Sequence, residues 1–288
     1  MTRRARLALL SVPAAFLVAF FAWPMTAIAA TGLRTGGSWQ IDHAVDTLTS
    51  ESTRGVLGFT LWQAMLSTIA SFALGFPLAW VFGRIDLPGR SALRVAVTLP
   101  FVLPTVVVSM AFLALAGPHG VFADVFRLDG TLAGIVAAHA FFNTAVVARI
   151  VGGHWARLDR RLEDAAQVLG ASRRRVFREV TLPALRPAVL SAAVLTFLFT
   201  CTSFGVVVLL GDPTQATLEV EIARVTATRD LAGASALALA QLATVAVMLI
   251  LEARLRDRRS AAGGGRVAPG PCRRRRCVGR AAEPPGSA

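Results

Sequence analysis

The chain has 288 residues, 55% of them hydrophobic, and a formal net charge of +13. A composition this apolar excludes an ordinary soluble domain and indicates a polytopic membrane protein. All of the positive charge comes from arginine, so it reflects either nucleic-acid binding or the retention of basic residues on one side of a membrane. The 3 cysteines indicate neither a disulfide framework nor a four-ligand zinc site.

Six stretches are apolar and long enough to cross a membrane, which takes about 20 residues in a helix. They are Leu7–Ala30, Phe59–Phe82, Ala96–Ala116, Leu132–Val151, Ala188–Leu210 and Leu231–Leu251. None alternates as a strand would, so we predict an all-α fold with six transmembrane helices. The first stretch could be a secretory signal peptide, but its length and its Trp23–Pro24 pair favour an uncleaved helix.

The positions of the arginines predict the orientation of these helices. With the N-terminus in the cytoplasm, all but five of the 30 arginines fall on cytoplasmic segments. The exceptions are Arg34, Arg54, Arg127, Arg224 and Arg229. By the positive-inside rule, this distribution predicts a multi-pass protein of the cell membrane with both termini in the cytoplasm. Because the charge is then topological, we expect no nucleic-acid partner, although the basic tail alone could still contact nucleic acid or anionic lipid.

The chain divides into three parts on these grounds. Residues 1–56 hold the first transmembrane helix and an outer loop, and residues 57–252 hold a five-helix core. A long polar loop, residues 152–187, interrupts this core on the cytoplasmic side. Residues 253–288 are rich in arginine, glycine and proline without periodicity, and we predict that they are disordered.

The sequence contains no motif of a self-contained enzyme. It has no P-loop, no HExxH, no GxSxG, and only four scattered histidines. We therefore expect no catalytic residue, no metal site and no cofactor.

Polar residues inside the predicted helices are the candidates for lining a translocation path. Asn143 follows His139 by one helical turn, and the run from Thr200 to Ser203 lies at mid-depth. Asn143, Thr200 and Ser203 could line a water-filled path, because polar groups are costly within a membrane. They could equally form hydrogen bonds between helices.

The segment from Arg160 to Pro187 reads as two short helices joined by a turn. Leu162, Ala165, Ala166 and Leu169 share one face of the first helix, Gly170 permits a sharp turn, and Ser172 can cap the second helix. Pro183 and Pro187 are predicted to end the element. Such short helices are unstable alone and often need a partner's groove, although a plain surface hairpin is the alternative.

These residues resemble a known motif. The run DAAQVLGASRRRVFREVTLPALRP is similar to the EAA loop in the membrane subunits of binding-protein-dependent, type I ABC importers. Asp164, Ala165, Ala166 and Gly170 match the Glu-Ala-Ala and Gly positions, and Leu182 with Pro183 matches the Leu-Pro. Asp164 is one methylene shorter than the glutamate of the motif.

The resemblance covers about residues 57–251 and implies a type I ABC importer permease fold. It extends to the first half of thiamine and ferric-iron permeases, which are similar to two fused six-helix halves. It implies these partners: an ABC ATPase subunit that receives the loop, an extracytoplasmic substrate-binding protein, a second permease half (fused or separate), and the lipid bilayer.

The same resemblance implies a transporter subunit that does not itself hydrolyse ATP, with iron(III) or thiamine as substrate. The chain resembles one half only, so we expect either a shortened or altered form of a longer permease or a half that pairs. The alternatives are a membrane scaffold that docks another cytosolic protein through the same loop, and an ion-coupled carrier. The carrier is disfavoured because it would need acidic residues within its helices.

Overall fold

The structure is a computed structural model that describes residues 11–35, 38–39 and 41–263. A π-helical turn, Val18–Ala22, leads into α1 (Trp23–Gly32), a two-stranded antiparallel pair of β1 (Arg34–Thr35) and β2 (Ser38–Trp39), and α2 (Ile41–Thr49). The remaining helices are α3 (Glu51–Arg84), α4 (Arg90–Val102), α5 (Thr105–Ala116), α6 (Leu132–Trp155), α7 (Arg160–Val168), α8 (Arg173–Val176), α9 (Leu182–Cys201), α10 (Gly205–Leu210), α11 (Leu218–Ala227) and α12 (Leu231–Gly263).

Five helical stretches among the described residues are long and apolar enough to span a membrane. They are Ser11–Ile28, Glu51–Arg84, Leu132–Trp155, Arg173–Cys201 and Leu231–Arg254. Helices α4 and α5 are bent by 101° relative to each other and make a sixth span if the pair counts as one. The predicted helical membrane fold is therefore confirmed, with the third predicted span broken in the middle.

The fifth predicted span, Ala188–Leu210, is not one helix. Helix α9 ends at Cys201, the helix is interrupted over residues 202–204, and α10 follows as a separate short helix. In the other direction, the helical stretch reaches back to Arg173. The span therefore begins inside the loop that we expected to precede it.

Pro183 and Pro187 do not end the preceding element, contrary to our prediction. A π-helical turn, Phe177–Thr181, joins α8 to α9, and Pro183 occupies the first turn of α9. A proline lacks the N–H that would bond one turn back, and a wider π turn can absorb this defect without ending the helix. Pro187 lies inside α9.

The disordered tail that we predicted from residue 253 does not begin there. Helix α12 continues to Gly263, so residues 253–263 extend the last helix, although the apolar span within it ends at Arg254. Residues 264–288 of the predicted tail lie outside the described residues, as does the arginine cluster at the extreme N-terminus.

The packing of α3 against α6 is the most extensive helix contact in the described structure. A Cβ placed on Gly75 would lie 2.6 Å from the Cβ of Val147, and one on Gly83 would lie 2.7 Å from the Cβ of Trp155. The two backbones are therefore too close for side chains at these positions, as small residues permit in membrane helices. Small residues recur at every fourth position along this face of α3: Ser67, Ser71, Gly75, Ala79 and Gly83.

Two apolar clusters form the core, and a polar layer separates them. One cluster gathers around Ile135, Val207 and Leu210, and the other around Val147, Val151 and Leu185. Between them along α6 lie the buried side chains of His139 and Asn143. The other buried polar members of this layer come from α3 and α9: Gln63, Ser67, Thr196 and Thr200.

The two ends of the bundle differ in charge. Helices α3 and α6 end, and helices α4 and α9 begin, at the same end of the bundle. This end carries most of the arginines of the described core, and we call it the basic end. The opposite end holds α2, α11 and the first turn of α12. The loop from Arg160 to Pro187 projects from the basic end.

Candidate functional site

The candidate site is the helix–turn–helix made by α7 and α8. Asp159 caps α7 by accepting a hydrogen bond from the Arg161 amide at 3.0 Å. Ser172 caps α8 as predicted, by accepting from the Arg175 amide at 3.4 Å. Each cap satisfies an amide that would otherwise lack a partner at the start of a helix.

Gly170 makes the turn between the two helices. Its φ of +87° lies in the left-handed region, and no atom lies within 4 Å of a Cβ built on it. The Gly170 amide donates to the Gln167 carbonyl at 2.9 Å, and the Ala171 amide donates to the Ala166 carbonyl at 3.0 Å. This pair of bonds is the Schellman ending of a helix. The glycine is therefore needed for its backbone conformation, whereas the surrounding space would admit a side chain.

The second arm of the loop is anchored on the bundle by aromatic packing. Val176 is 5% exposed, and the ring of Phe177 lies 6.2 Å from Trp155 and 6.5 Å from Phe76 between centroids. Aromatic rings at this separation contribute favourable contacts beyond their buried area. Helix α8 therefore sits firmly on the ends of α3 and α6.

The first arm is held by an ion pair that the sequence did not reveal. Glu163 accepts hydrogen bonds from the guanidinium of Arg84 at 2.5 Å and from the hydroxyl of Thr181 at 2.7 Å. The side chains of Arg84 and Glu163 are 11% and 22% exposed. Arg160 adds a bond from its guanidinium to the Arg84 carbonyl at 2.8 Å. This cluster ties both arms of the loop to the last residue of α3.

Nothing in the sequence placed Arg84 beside Glu163, because 79 residues separate them. Arg84 follows the second predicted span by two residues, and Glu163 lies next to Leu162 of the apolar stripe. Their pairing depends on the α3–α6 packing, which brings the end of α3 beside the loop.

The residues that matched the motif lie on the outward side of the loop. Asp164 and Ala165 are exposed, Ala166 is half-buried, and Gly170 is exposed at the tip. Asp164 makes no hydrogen bond or ion pair with the described part of the chain, although it lines a cavity of 360 Å³ behind the loop. Leu182 and Pro183 begin α9 and are also exposed.

The tip of the loop carries an apolar knob. Val168 is 87% exposed and Leu169 is 88% exposed, the highest values among the large hydrophobic side chains that the structure describes. The predicted stripe that includes Leu162 is also turned outward, since α7 buries none of its residues. An apolar surface on a polar loop is typical of a binding site for another protein.

The three predicted path residues lie inside the bundle. Asn143 donates to the His139 carbonyl at 3.0 Å, and Thr200 donates to the Phe197 carbonyl at 2.9 Å while its own carbonyl accepts from Gln63 at 2.8 Å. Ser203 is 7% exposed. Of these hydrogen bonds, only the one from Gln63 joins two helices, α3 and α9, since the other two each lie within one helix. The lining of a path by the three residues stays a prediction.

Several buried polar atoms of this layer have no hydrogen-bond partner. They are Gln63 Oε1, His139 Nε2, Asn143 Oδ1, Thr196 Oγ and Ser203 Oγ. No group of three or more His, Cys, Asp or Glu side chains among the described residues is arranged to hold a metal ion.

The model of the family described as "Binding-protein-dependent transport system inner membrane component" matches residues 71–260. The sulfate transport system permease protein CysT of Salmonella typhimurium is 32% identical over 57% of this chain and 61% of its own length. The molybdenum transport system permease protein ModB of Azotobacter vinelandii is 31% identical over 56% of this chain and 74% of its own length.

The thiamine transport system permease protein ThiP of Brucella suis is 32% identical over 72% of this chain but only 40% of its own length. The chain thus spans about three fifths of the sulfate permease and less than half of the thiamine permease. Among solved structures, a bacterial ABC transporter for the import of alginate superimposes with a TM-score of 0.71 over 88% of this chain and 95% of its own, at 19% identity. At that identity the likeness concerns the fold alone.

We expect Glu163→Ala to loosen α7 more than Glu179→Ala does. Glu163→Ala leaves the shielded Arg84 guanidinium unpaired and should lower the stability of the folded loop by about 1–3 kcal/mol. Glu179 pairs only with Arg175 on the surface, where both side chains are more than 60% exposed. Its replacement by alanine should therefore lower the stability of the loop by less than ~1 kcal/mol. Hydrogen exchange of residues 160–171 in the purified protein measures the difference. Equal protection in the two variants would show that the Arg84 pair does not hold the loop.

Proposed function

The chain belongs to the family of binding-protein-dependent transport system inner membrane components, and from this premise we propose that it is the permease subunit of an ATP-driven importer. Members of this family are transporter components and not enzymes. The chain is accordingly a multi-pass membrane protein. The proposal concerns its partners, its coupling mechanism and its substrate.

The exposed tip of the α7–α8 loop is the observation that carries the proposal. Val168 and Leu169 present apolar surface that no described residue covers. We assign this knob, with Asp164, Ala165, Ala166 and Gly170, to a groove in an ABC ATPase subunit. Leu182 and Pro183 shape the base from which the loop rises into α9. By the positive-inside rule, the basic end that carries the loop would face the cytoplasm with both chain termini, where an ATPase resides.

The Arg84–Glu163–Thr181 cluster supports a mechanical role for the loop. A force on the tip would pass through Glu163 to the end of α3, and through α8 to the start of α9. Because α3 and α6 are packed too tightly to slide independently, they would move with the loop as one body. Closure of the ATPase could therefore bias the bundle between two arrangements.

The opposite end would receive the substrate and its carrier. A solved alginate transporter of this fold is in complex with a periplasmic protein that holds an alginate pentasaccharide. We propose by analogy that an extracytoplasmic binding protein docks on the side of α2 and α11. A second six-helix half, fused or separate, would complete the path in the bilayer.

The substrate we propose is a small oxyanion, with thiamine as the second candidate. The sulfate and molybdenum permeases described above support the first, and the thiamine permease, which aligns with the largest share of this chain among the three, supports the second. The expectation of iron(III) from the resemblance gains no support from these three relatives.

Val168→Asp should weaken ATPase binding and transport together. Loss of a valine side chain that is buried in the partner's apolar groove removes roughly 1.5–3 kcal/mol of binding free energy, which lowers the affinity about 10–150-fold. Val125→Asp is the matched control, because Val125 is 79% exposed at the opposite end of the bundle. Co-purification of the ATPase and ATP-dependent uptake measure the two effects. Loss of ATPase binding by the control as well would contradict the assignment, and ATPase binding without any uptake would favour the scaffold.

Gly170→Val should reduce transport about tenfold or more while leaving membrane insertion intact. A β-branched residue is strongly disfavoured at positive φ, so keeping the turn in its present conformation would cost at least ~1–2 kcal/mol of conformational free energy. Gly170→Asn should retain most activity, because asparagine tolerates this conformation.

Gly130→Val provides the control for Gly170→Val, since Gly130 has a φ of +65° and open space around it but lies in the loop before α6. Uptake in cells and protein level in the membrane are the measurements. Equal loss of uptake in both valine variants would mean that general misfolding, and not the coupling turn, is responsible.

Uptake of labelled sulfate, molybdate, thiamine and iron(III) should distinguish the candidate substrates. The assay requires the chain together with its ATPase, its second half and its binding protein. We expect ATP-dependent accumulation of sulfate or molybdate, abolished by Val168→Asp. Accumulation of iron(III) alone would overturn the oxyanion proposal without affecting the assignment of the coupling loop.

A further inference from the structure

A second cavity at the basic end lies apart from the coupling loop. It has a volume of 390 Å³ and lies between the end of α3, the start of α4 and the end of α6. Small residues make room for it, and Phe82, Arg94 and Arg149 complete its walls. Its lining residues are Phe82, Arg94, Ala148, Arg149, Gly152, Gly153 and Ala156, which include two arginines and no acid.

The two arginines of this cavity lack a carboxylate partner within the described ranges of the chain. The guanidinium of Arg94 lies over the Phe82 ring at 5.7 Å from its centroid, a contact that leaves its N–H groups available. Arg149 makes no hydrogen bond or ion pair with any residue the structure describes. The nearby acid Asp86 pairs with Arg90 at 3.4 Å, and Arg90 also donates to the Phe82 carbonyl. The local charge is therefore positive and uncompensated.

The direction of α4 favours a position of the cavity at the level of the lipid headgroups. Helix α4 meets α5 at 101°, so if α5 runs across the membrane, α4 lies close to the membrane plane. The apolar side chains of α4 are exposed, with Val95 at 66%, Leu99 at 58% and Val102 at 73%. A helix with exposed apolar side chains beside arginines is typical of the membrane interface. Arg94 would then stand where the phosphates of the inner leaflet lie.

We propose that the cavity formed by Arg94, Arg149 and Gly153 binds a phosphate group, supplied by an anionic phospholipid. Two guanidinium groups can each donate a pair of hydrogen bonds to phosphate oxygens. Basic pockets between helices at a membrane surface favour anionic headgroups in this way. The acyl chains would continue along the exposed apolar side of α4. Free phosphate offers the same chemistry, and the experiment separates the two sources.

The test uses the purified full-length chain in nanodiscs of phosphatidylcholine with or without phosphatidylglycerol. Native mass spectrometry then counts the lipids that remain bound. The wild type should retain phosphatidylglycerol in preference to phosphatidylcholine. Arg94→Gln with Arg149→Gln should weaken this retention about 30-fold, the loss expected from removing two arginines near an anionic surface.

Two further variants keep the test specific. Arg174→Gln with Arg186→Gln removes two exposed arginines of the same end outside the cavity, and should retain the lipid. Gly153→Leu fills the cavity and keeps both arginines; because no atom lies within 4 Å of a Cβ at Gly153, the protein should fold and lose the lipid. Thermal stability in phosphatidylcholine alone verifies folding.

Inorganic phosphate is titrated in parallel in the absence of anionic lipid. Stabilisation by phosphate that depends on Arg94 and Arg149, without any preference for phosphatidylglycerol, would overturn the lipid as the source. Equal lipid retention by the wild type, the Arg94/Arg149 variant and Gly153→Leu would overturn the site itself. Because none of these measurements involves ATPase binding or uptake, their failure is distinguishable from failure of the importer proposal.

Discussion

Close packing between α3 and α6 determines the position of the coupling loop. The backbones approach so closely at Gly75 and Gly83 that a Cβ there would overlap Val147 or Trp155. In a membrane, where lipid is as apolar as the side chains, such contact is a main source of helix association. The seam ends at Gly83, one residue before Arg84, and at Trp155, the last residue of α6. The coupling loop is therefore built on the most tightly packed part of the bundle.

This arrangement explains why the loop combines a firm base with an uncovered tip. Its base uses an ion pair to Arg84 and the rings of Phe177 and Trp155, all at the end of the seam. Its tip leaves Val168 and Leu169 in solvent. A partner bound to the tip would act on the whole α3–α6 pair, because a shielded ion pair and packed rings deform little under force and transmit it to the helices.

The polar layer has a different physical role from the two apolar clusters. Its hydrogen bonds join α3 to α6 through Ser67 and His139, and α3 to α9 through Gln63 and Thr200. Within a membrane such bonds specify how helices align, since an unpaired group has no water to satisfy it. The layer nevertheless keeps several unpaired atoms. An unpaired polar atom at this depth is costly, and a water molecule or a neighbouring subunit could supply the missing hydrogen bond.

Features that depend on local pattern could be predicted from the sequence. The apolar stretches located the membrane helices, the arginines predicted their orientation, and the spacing from Asp164 to Gly170 identified the turn and its left-handed glycine. These signals are legible because helix periodicity, capping and charge distribution act over a few residues. The same local reasoning failed at the prolines of α9, where a π turn replaced the expected stop, and at residue 253, where the last helix continues.

Contacts between residues far apart in the sequence depend on how the helices pack. The pairing of Arg84 with Glu163 and the packing of Phe177 on Trp155 follow from how closely α3 approaches α6. Arg94 and Arg149 line one cavity because α4 also packs on α6. The distance between α3 and α6 depends on the small residues at every fourth position of α3. Their spacing is visible in the sequence, but it does not show which helix packs against that face.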